Sequence, residues 1–238
     1  LDALPNGIVL TDSQRLVVNS FKDGEPKIDV MAINAFLSGL HFPLYFFDYE
    51  TFSSAVPLFD GASPHKHFPV QYSLHILEKD GSLAHREYLE RQARFPQNLI
   101  KQMQDDFGEV GSVVSWHASF EKTQNLEMSL MYPDKEYFLL DINERMMDLE
   151  DVFKTAYVDA KFEGSTSIKK VLPVVCPSLN YDDLHVKDGS LAMEAWQRMV
   201  NSAPDEAENI ASDLLKYCER DTLAMVEIYR FLIRLINY

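Results

Sequence analysis

The sequence has few cysteines and few positive charges, and each shortage excludes a class of protein. Its two cysteines, Cys176 and Cys218, are too few for a disulfide framework or a thiolate metal site, so we expect a reducing compartment. Its 22 Lys and Arg face 37 Asp and Glu, and the formal net charge of −15 argues against a protein that coats nucleic acid by electrostatics. The charge is compatible with an enzyme whose carboxylates hold cations.

Long apolar runs are also missing. No run approaches the ~20 residues that a membrane span needs, and no basic and apolar leader opens the chain, so the sequence predicts a soluble, cytoplasmic protein without a membrane partner. With only 9 Gly and 11 Pro, the composition is that of a folded chain. Because residue 1 is Leu rather than Met, we expect a segment of a longer protein, with room for a further domain upstream.

The order of the predicted elements is typical of an α/β domain. An apolar run at Leu44–Phe47 predicts a central buried strand, followed by a hairpin, a helix, a second strand, two helices and a short fifth strand. The two strands of the hairpin are expected at residues 70–76 and 83–90, the helix at 95–107 and the second apolar strand at 113–116. The next two helices are expected at 119–131 and from there to about 144, and the last strand at 145–149. A short helix that starts near 165–167 and is broken at Pro173 follows, and a long helix begins at about Asp205.

The first forty residues have a different pattern from the rest of the chain. Thr11 or Asp12 is a candidate helix N-cap, and a break at residues 22–26 precedes a second apolar-periodic stretch. We therefore expect a helical N-terminal extension over residues 1–40 and one domain over residues 41–238.

Acidic residues follow the first strand directly. Common signatures such as a P-loop, a dinucleotide-binding glycine motif and a His-Glu-x-x-His zinc motif are missing. Asp48 and Glu50 instead continue the apolar run, and because strand side chains alternate, both carboxylates project to one face. Two like charges in that place favour bound cations. The alternative is a solvated strand end, since Asp-x-Glu also occurs elsewhere in the chain.

Two later segments supply further candidates. Glu121 follows the second strand at the start of a helix, where it either binds a metal or complements the helix dipole. Tyr217 and Asp221 are four residues apart on the last helix, so they share a face beside the apolar stripe that contains Cys218. A carboxylate at the edge of a buried stripe is costly unless it is paired or binds a metal.

Taken together, these motifs resemble those of the DEDD-type, DnaQ-like 3′-5′ exonucleases. The stretches at residues 45–51, 164–173 and 217–222 are most similar to an uncharacterised bacterial domain family assigned to that superfamily. The resemblance implies a ribonuclease H-like fold over residues 40–238, with a mixed five-stranded sheet flanked by helices. In the second motif, His117 and Glu121 stand where Asn and Asp are usual.

The resemblance also implies a catalytic role for each acid. Asp48 would bridge two divalent ions, Mg²⁺ or Mn²⁺, while Glu50 and Asp221 complete the first ion's ligands and Glu121 holds the second. Tyr217 would orient the attacking water. Since Lys216 stands where one branch of the superfamily has histidine, the chain resembles the tyrosine branch.

Four residues are candidates for substrate contact by the same resemblance. Thr51 and Phe52 follow the first motif, where such residues contact the terminal nucleotide, although Phe52 is equally suited to the core. His117 is a candidate whose alternative is a hydrogen-bonded structural residue. Lys169 is a candidate for phosphate contact whose alternative is a solvated basic face.

Asp148 resembles an acid that begins a helix after the fifth strand, and we favour a cap role for it over a metal role.

Two functions follow from this interpretation. The first is a metal-dependent 3′-5′ exonuclease that acts on the 3′ end of single-stranded DNA or RNA and releases nucleoside 5′-monophosphates. The second is a ribonuclease H-like binding or regulatory module with weakened catalysis, which the altered second motif and the acidity favour. The first function requires the carboxylates of Asp48, Glu50, Glu121 and Asp221 to converge within about 8 Å, because the two ions lie only ~4 Å apart.

Overall fold

A computed structural model describes residues 8–57, 61 and 63–237. The helices and strands follow in chain order: α1 (Asp12–Asp23), β1 (Lys27–Ile28), α2 (Val30–Ser38), β2 (Leu44–Phe52), β3 (Phe68–Leu77), β4 (Leu83–Leu89), α3 (Gln97–Asp106), β5 (Ser112–Ser115), α4 (Ser119–Met131), α5 (Glu136–Arg145), β6 (Met146–Asp148), β7 (Tyr157–Val158), α6 (Ile168–Val175), α7 (Gly189–Asn201) and α8 (Pro204–Ile236). A π-helical turn, Val152–Ala156, precedes β7.

The described chain divides into two compact units. The sheet unit comprises residues 41–148 and 181–226, and the terminal unit comprises residues 8–40, 149–180 and 227–237. One boundary between them falls between Leu40 and His41, where the sequence suggested the end of the helical extension. The extent of the extension and the single domain over residues 41–238 stay predictions, and residues 1–7 of that extension lie outside the described residues.

The sheet unit contains a mixed five-stranded sheet with the order β4-β3-β2-β5-β6. Strand β3 is antiparallel to both β2 and β4, whereas β2, β5 and β6 are parallel to one another. Helices flank this sheet, so the predicted α/β class with five mixed strands is confirmed. The predicted central strand is β2, and the predicted hairpin is β3 and β4.

Strand β2 is buried along both of its faces. Residues Leu44–Phe47 are apolar and almost inaccessible, as in the centre of an α/β sheet. Tyr45, Phe47 and Tyr49 point into a core that includes Leu99, Met103, Val113 and Met128. Because side chains alternate along a strand, Asp48 and Glu50 lie on the opposite face, where α8 packs.

The terminal unit opens with the predicted capped helix. Thr11 is the N-cap of α1 and exchanges hydrogen bonds with Gln14 in a capping box, and Gly24 ends the helix at a φ of 71°. The two-residue strands β1 and β7 pair in this unit. Strands so short carry no periodicity, which explains why the sequence did not predict them.

Two helices differ from the sequence prediction. Helix α6 runs through Pro173, so the prediction that this proline breaks the helix was wrong. The helix ends within two further residues, and the hydrogen bond from the Cys176 amide to the Leu172 carbonyl bridges over the proline. For helix α7, the sequence showed only a helical spacing of apolar residues around Trp196. In the structure Trp196 is buried, and its indole N–H donates to the Glu90 carbonyl at 2.7 Å. Within the described part of the chain, no helix is both long and apolar enough to cross a membrane.

Candidate metal centre

The acidic residues lie at the edge of the sheet where its parallel strands end. In the register of β2 and β5, Tyr45 pairs with Val113 and Phe46 with Val114. Strand β5 ends at Ser115, whose hydroxyl donates to the Phe47 carbonyl at 2.5 Å. Strand β2 continues past this point to Phe52, so Asp48 and Glu50 stand on the stretch of β2 that β5 no longer covers.

Asp48 and Glu50 meet a cysteine of helix α8. A carboxylate oxygen of each and the Cys218 sulfur lie within 4.8 Å of one another, and the Asp48 Oδ2 is 3.9 Å from that sulfur. Glu50 also lies beside the N-terminus of α7, since its Oε2 would be 4.0 Å from a Cβ on Gly189. A helix N-terminus favours negative charge, so it stabilises the Glu50 carboxylate in this place.

Helix α8 brings Asp221 and Tyr217 to the same group. Both side chains are largely buried, and the fully buried Cys218 and Thr222 lie beside them on the helix. The Oδ1 of Asp221 accepts a hydrogen bond of 2.5 Å from the hydroxyl of Tyr181. Arg220 points elsewhere and holds Asp183 through two bonds of 2.9 and 3.0 Å. The Asp221 carboxylate thus accepts a hydrogen bond from the Tyr181 hydroxyl in the metal-free protein.

The electrostatics of neighbouring groups confirm that three carboxylates are close together. Burial raises the pKa of Tyr217, and the negative charges of Asp221, Glu50 and Asp48 raise it further. The pKa of Cys218 is raised by burial and then by the same three charges. The thiol and the phenol therefore stay protonated, and the group offers carboxylate oxygens beside a neutral hydroxyl and a neutral thiol.

Tyr181 was not predicted from the sequence as a site residue. Burial raises the pKa of its hydroxyl, and Asp221 and Asp48 add to the effect, so it is a hydrogen-bond donor at any physiological pH. It precedes Asp182 and Asp183 in a segment without periodicity, where nothing in the sequence distinguishes it from other tyrosines. Only the folded chain brings it to Asp221.

Glu121 lies on α4 and is 2% exposed. Burial raises its pKa to about 8, its own backbone N–H opposes this shift, and the nearby Asp148 adds to the rise. Its Oε2 has no hydrogen-bond partner among the described residues. The set of ligand atoms within 4.8 Å that contains Asp48 and Glu50 includes neither Asp221 nor Glu121 among these residues. Asp221 raises the pKa values of Tyr217 and Cys218 together with Asp48 and Glu50, whereas the carboxylate that acts on Glu121 is that of Asp148. Three of the four predicted acids thus share the same neighbours on α8, and the fourth lies near Asp148.

Asp148 fixes the turn that leads to Glu121. It is the last residue of β6, and its Oδ1 accepts a 3.0 Å hydrogen bond from the amide of His117. His117 is exposed and has a φ of 64°, a left-handed conformation that needs such support outside glycine. Asp148 thus supports the turn after β5, and the helix-cap role that we favoured for it stays a prediction.

A groove of about 510 Å³ borders the acidic group. Its wall includes Glu50, Thr51, His67 and Phe120. The Thr51 hydroxyl and the His67 Nδ1 are 2.9 Å apart, and the His67 and Phe120 rings meet edge to face at 6.2 Å. Thr51 therefore lines this groove, and its contact with a substrate stays a prediction. The sequence did not predict His67 and Phe120 as wall residues, because a loop residue and a residue of the first turn of α4 so far apart in sequence show no shared pattern.

Two other predicted contact residues lie in different surroundings. Phe52 is 2% exposed and packs against Trp196 and Phe68 with ring distances of 4.9 and 5.8 Å. The core is thus the better of the two roles considered for it, since a ring so enclosed cannot contact a nucleotide. Lys169 is on α6 in the terminal unit, while the acidic group is in the sheet unit.

The donor atoms fit hard divalent cations. Mg²⁺ and Mn²⁺ take oxygen ligands, and Asp48, Glu50 and Asp221 provide six carboxylate oxygens in one place. Three clustered negative charges repel one another unless a cation or protons offset them. The buried Oε2 of Glu121, which lacks a partner among the described residues, is a further oxygen suited to a cation.

Comparison with known families identifies one match. A family model described as "Domain of unknown function (DUF2779)" matches residues 45–167, which is just over half of the chain. The matched segment contains Asp48, Glu50 and Glu121, whereas Tyr217 and Asp221 follow it in the chain. The expectation of an uncharacterised bacterial domain family is confirmed.

Curated relatives from Mycoplasma and Ureaplasma are longer than this chain. An uncharacterized protein of Mycoplasma genitalium is 29% identical over 221 residues, which cover 81% of this chain and 32% of the relative. An uncharacterized protein of Ureaplasma parvum is 28% identical over 262 residues, which cover 99% of this chain and 38% of the relative. The chain thus spans about a third of the length of these relatives. No solved structure matches it.

Proposed function

The chain belongs to the DUF2779 family, and we propose that it is a two-metal-ion phosphodiester hydrolase that acts as a 3′-5′ exonuclease on single-stranded DNA or RNA. The observation that carries this proposal is the group formed by Asp48, Glu50 and Asp221, with Tyr217 beside it and an open groove next to it. The product is then a nucleoside 5′-monophosphate.

The fold supports the proposal. Three antiparallel strands followed by two parallel ones, with the acids at the ends of the parallel strands and on the last helix, are compatible with a ribonuclease H-like fold. That arrangement would make the chain a member of the DEDD-type superfamily its motifs resemble. The superfamily assignment is part of the proposal, and the α/β fold alone does not imply an activity.

Each residue of the group has a defined task in this proposal. When bound, two divalent ions supply an activated water and stabilise the leaving oxygen. Asp48, Glu50 and Asp221 would hold the ions, and Tyr181 keeps the Asp221 carboxylate in position through its 2.5 Å bond. Tyr217 has a neutral hydroxyl, so it can donate to or accept from the attacking water and orient it.

Glu121 is not part of this group of three acids and has a conditional role in the proposal. It is buried, and burial raises its pKa to about 8, so it is largely protonated in the metal-free protein at neutral pH. Its Oε2, which has no partner among the described residues, would be a ligand for the second ion, and binding would require the loss of that proton. Catalysis is then steeply dependent on metal concentration and pH.

The groove is the place for the terminal nucleotide. Phe120 and His67 offer aromatic faces on which a base can stack, which is a sequence-independent mode of binding single strands. Thr51 stands between Glu50 and these rings on the groove wall and can position the sugar. Stacking without base-edge hydrogen bonds predicts weak sequence preference.

The test is cleavage of 3′- and 5′-labelled single-stranded DNA and RNA oligonucleotides with Mn²⁺, Mg²⁺ or EDTA. We expect metal-dependent shortening from the 3′ end, and loss of that shortening in Asp48→Asn. The matched control is Asp134→Asn, which changes an exposed acid of the same unit and leaves cleavage intact. Well-folded protein that binds Mn²⁺ but cuts no oligonucleotide would refute the nuclease and favour a binding module, with Glu121 as the first residue to examine.

A further inference from the structure

Two histidines stand opposite each other on the edge of the sheet. His75 on β3 and His85 on β4 are register partners in the antiparallel pair, so their side chains emerge on the same face. Their ring centroids are 4.5 Å apart and the rings are tilted by 31°. This is the face on which α8 packs, since Gln71 and Ser73 on β3 also bond to α8.

Helix α8 adds a carboxylate to the histidine pair. One ring nitrogen of each histidine and one carboxylate oxygen of Glu219 all lie within 4.8 Å of one another. The shortest contact between His85 and Glu219 joins Nδ1 and Oε1 at 3.9 Å, which is too long for a hydrogen bond. The His75 side chain is buried, whereas His85 and Glu219 are 24% and 46% exposed, so the site opens to solvent on one side.

A chain of hydroxyls fits one arrangement of the protons on both rings. In this arrangement Thr222 donates to the Glu219 carbonyl at 3.1 Å, and its oxygen accepts from His75 Nδ1 at 2.8 Å. Ser73 then donates to the Thr222 oxygen at 2.7 Å and accepts from His85 Nε2 at 2.9 Å. Each hydroxyl has one proton to give, and this assignment uses each of them once.

The assignment places lone pairs where a cation is needed. With Nδ1 of His75 and Nε2 of His85 protonated, the lone pairs are on His75 Nε2 and His85 Nδ1. The second of these faces the Glu219 carboxylate, and two acceptors that face each other repel unless a proton or a metal lies between them. A hydrogen bond from the far ring nitrogen to a fixed oxygen is the usual support of a histidine that binds a metal.

From this arrangement we propose a second metal site, formed by His75, His85 and Glu219, that takes a zinc-type transition-metal ion. Two imidazoles and one carboxylate are ligands that Zn²⁺ prefers, and Mg²⁺ does not take nitrogen ligands readily. The site thereby differs in chemistry from the all-oxygen group around Asp48. Three protein ligands leave a fourth position to water on the exposed side.

Glu87 lies two residues after His85 and so on the same face of β4. A cation held by His75, His85 and Glu219 would pin the edge strand β4 to helix α8.

The test is Zn²⁺ binding by isothermal titration calorimetry on tag-free protein stripped of metal. The measurement is made in the Asp48→Asn background, so that the first acidic group contributes as little as possible. We expect one Zn²⁺ per chain, which is lost on adding His85→Asn or Glu219→Gln. The exposed His185→Asn is the matched histidine control and keeps the binding. Bound Co²⁺ gives a visible spectrum that reports nitrogen ligands, and the same variants abolish it.

Further outcomes distinguish a metal site from a polar network. Thr222→Val removes the hydroxyl that holds His75, and it weakens Zn²⁺ binding by roughly 10- to 100-fold. Glu219→Gln changes a side chain on the helix surface, so a folded variant is expected and circular dichroism checks it. Unchanged Zn²⁺ affinity in both His85→Asn and Glu219→Gln would refute the site. So would the absence of Zn²⁺ binding in the folded parent. Neither result bears on oligonucleotide cleavage.

Discussion

Glu121 is an acid whose burial is costly when it is charged. Its pKa rises from an ordinary 4.5 to about 8, so between these values the folded chain binds a proton that the unfolded chain has lost. The stabilisation by the protonated form is complete below pH ~4.5 and is lost as the pH rises towards 8. In EDTA, Glu121→Gln should therefore be less sensitive to pH than the parent.

Chemical denaturation at pH 5, 6.5 and 8 measures this difference. We expect the free energy of unfolding of the parent to fall by a few kcal/mol over this range relative to that of Glu121→Gln. Glu109→Gln, at an exposed acid outside the site, is the control and should follow the parent. Parallel pH profiles for all three proteins would show that Glu121 is charged in the fold.

The two tyrosines of the acidic group should differ in the kinetic constant that they affect. Tyr181 donates a hydrogen bond to Asp221, which is a proposed ligand of the ions. Tyr181→Phe removes the bond that positions this carboxylate, so it should raise the Mn²⁺ concentration needed for half-maximal rate. Tyr217 is proposed to orient water, so Tyr217→Phe should lower kcat by roughly 10²-fold or more with Mn²⁺ dependence unchanged. Oligonucleotide cleavage across a Mn²⁺ titration separates the two, and equal effects of both variants would contradict the assignment.

The sequence was most informative where chemistry and periodicity coincide. Asp48 and Glu50 continue an apolar strand, and Asp221 interrupts an apolar stripe, so each acid stands where burial is costly and function is the natural reason. Tyr181 and His67 lie in loops, and their neighbours in space come from remote parts of the chain. No local pattern can predict such contacts, because they depend on how the elements pack.

At the level of elements, the junction of β2 and β5 positions the site and depends on Gly111. This residue has a φ of 103°, and a Cβ on it would overlap the carbonyl oxygen of Pro43 just before β2. Gly111→Ala should therefore destabilise the fold by about 2 to 5 kcal/mol, through backbone strain and overlap with β2. Gly81→Ala is the matched control, since Gly81 has a φ of 89° but open space around its Cα.

Thermal unfolding of both variants measures the contribution of the overlap. Gly81→Ala should cost only about 1 to 2 kcal/mol, the price of the left-handed conformation for a residue with a Cβ. The larger loss in Gly111→Ala should be accompanied by weaker Mn²⁺ binding, because β5 sets the position of the turn before Glu121. Equal losses in the two variants would mean that β2 and β5 tolerate a wider spacing.

Element types followed from the sequence better than element ends did. The hairpin of β3 and β4 and the helix α4 match their predicted ranges closely, because alternation and helical periodicity run through them. Helix α6 continues past Pro173, since the helix ends before the missing amide can weaken several turns. Helix α7 begins with Gly189 and Ser190, which are poor helix formers, so the sequence indicated it less clearly.

At the level of the whole molecule, the charge of −15 separates this chain from nucleases that bind through basic surfaces. Single-stranded substrates carry one negative charge per phosphate, and a protein with many cationic contacts releases counterions when it binds them. In the proposed function, the attraction would come from bound ions and from stacking in the groove at Phe120 and His67. The net negative charge of the chain would oppose it, so salt would have two opposing effects.

The salt dependence of catalysis tests this balance. For a protein with 6 to 10 phosphate contacts, affinity falls by roughly 10³- to 10⁵-fold between about 50 and 200 mM salt. For this chain, we expect kcat/KM on a labelled oligonucleotide at saturating Mn²⁺ to change by less than about tenfold over that range, because added salt also screens the repulsion. Phe120→Ala should raise KM at every salt concentration, as loss of a stacking face does. A steep fall of kcat/KM with salt would instead mean that lysines and arginines grouped on one face bind the strand despite the net charge.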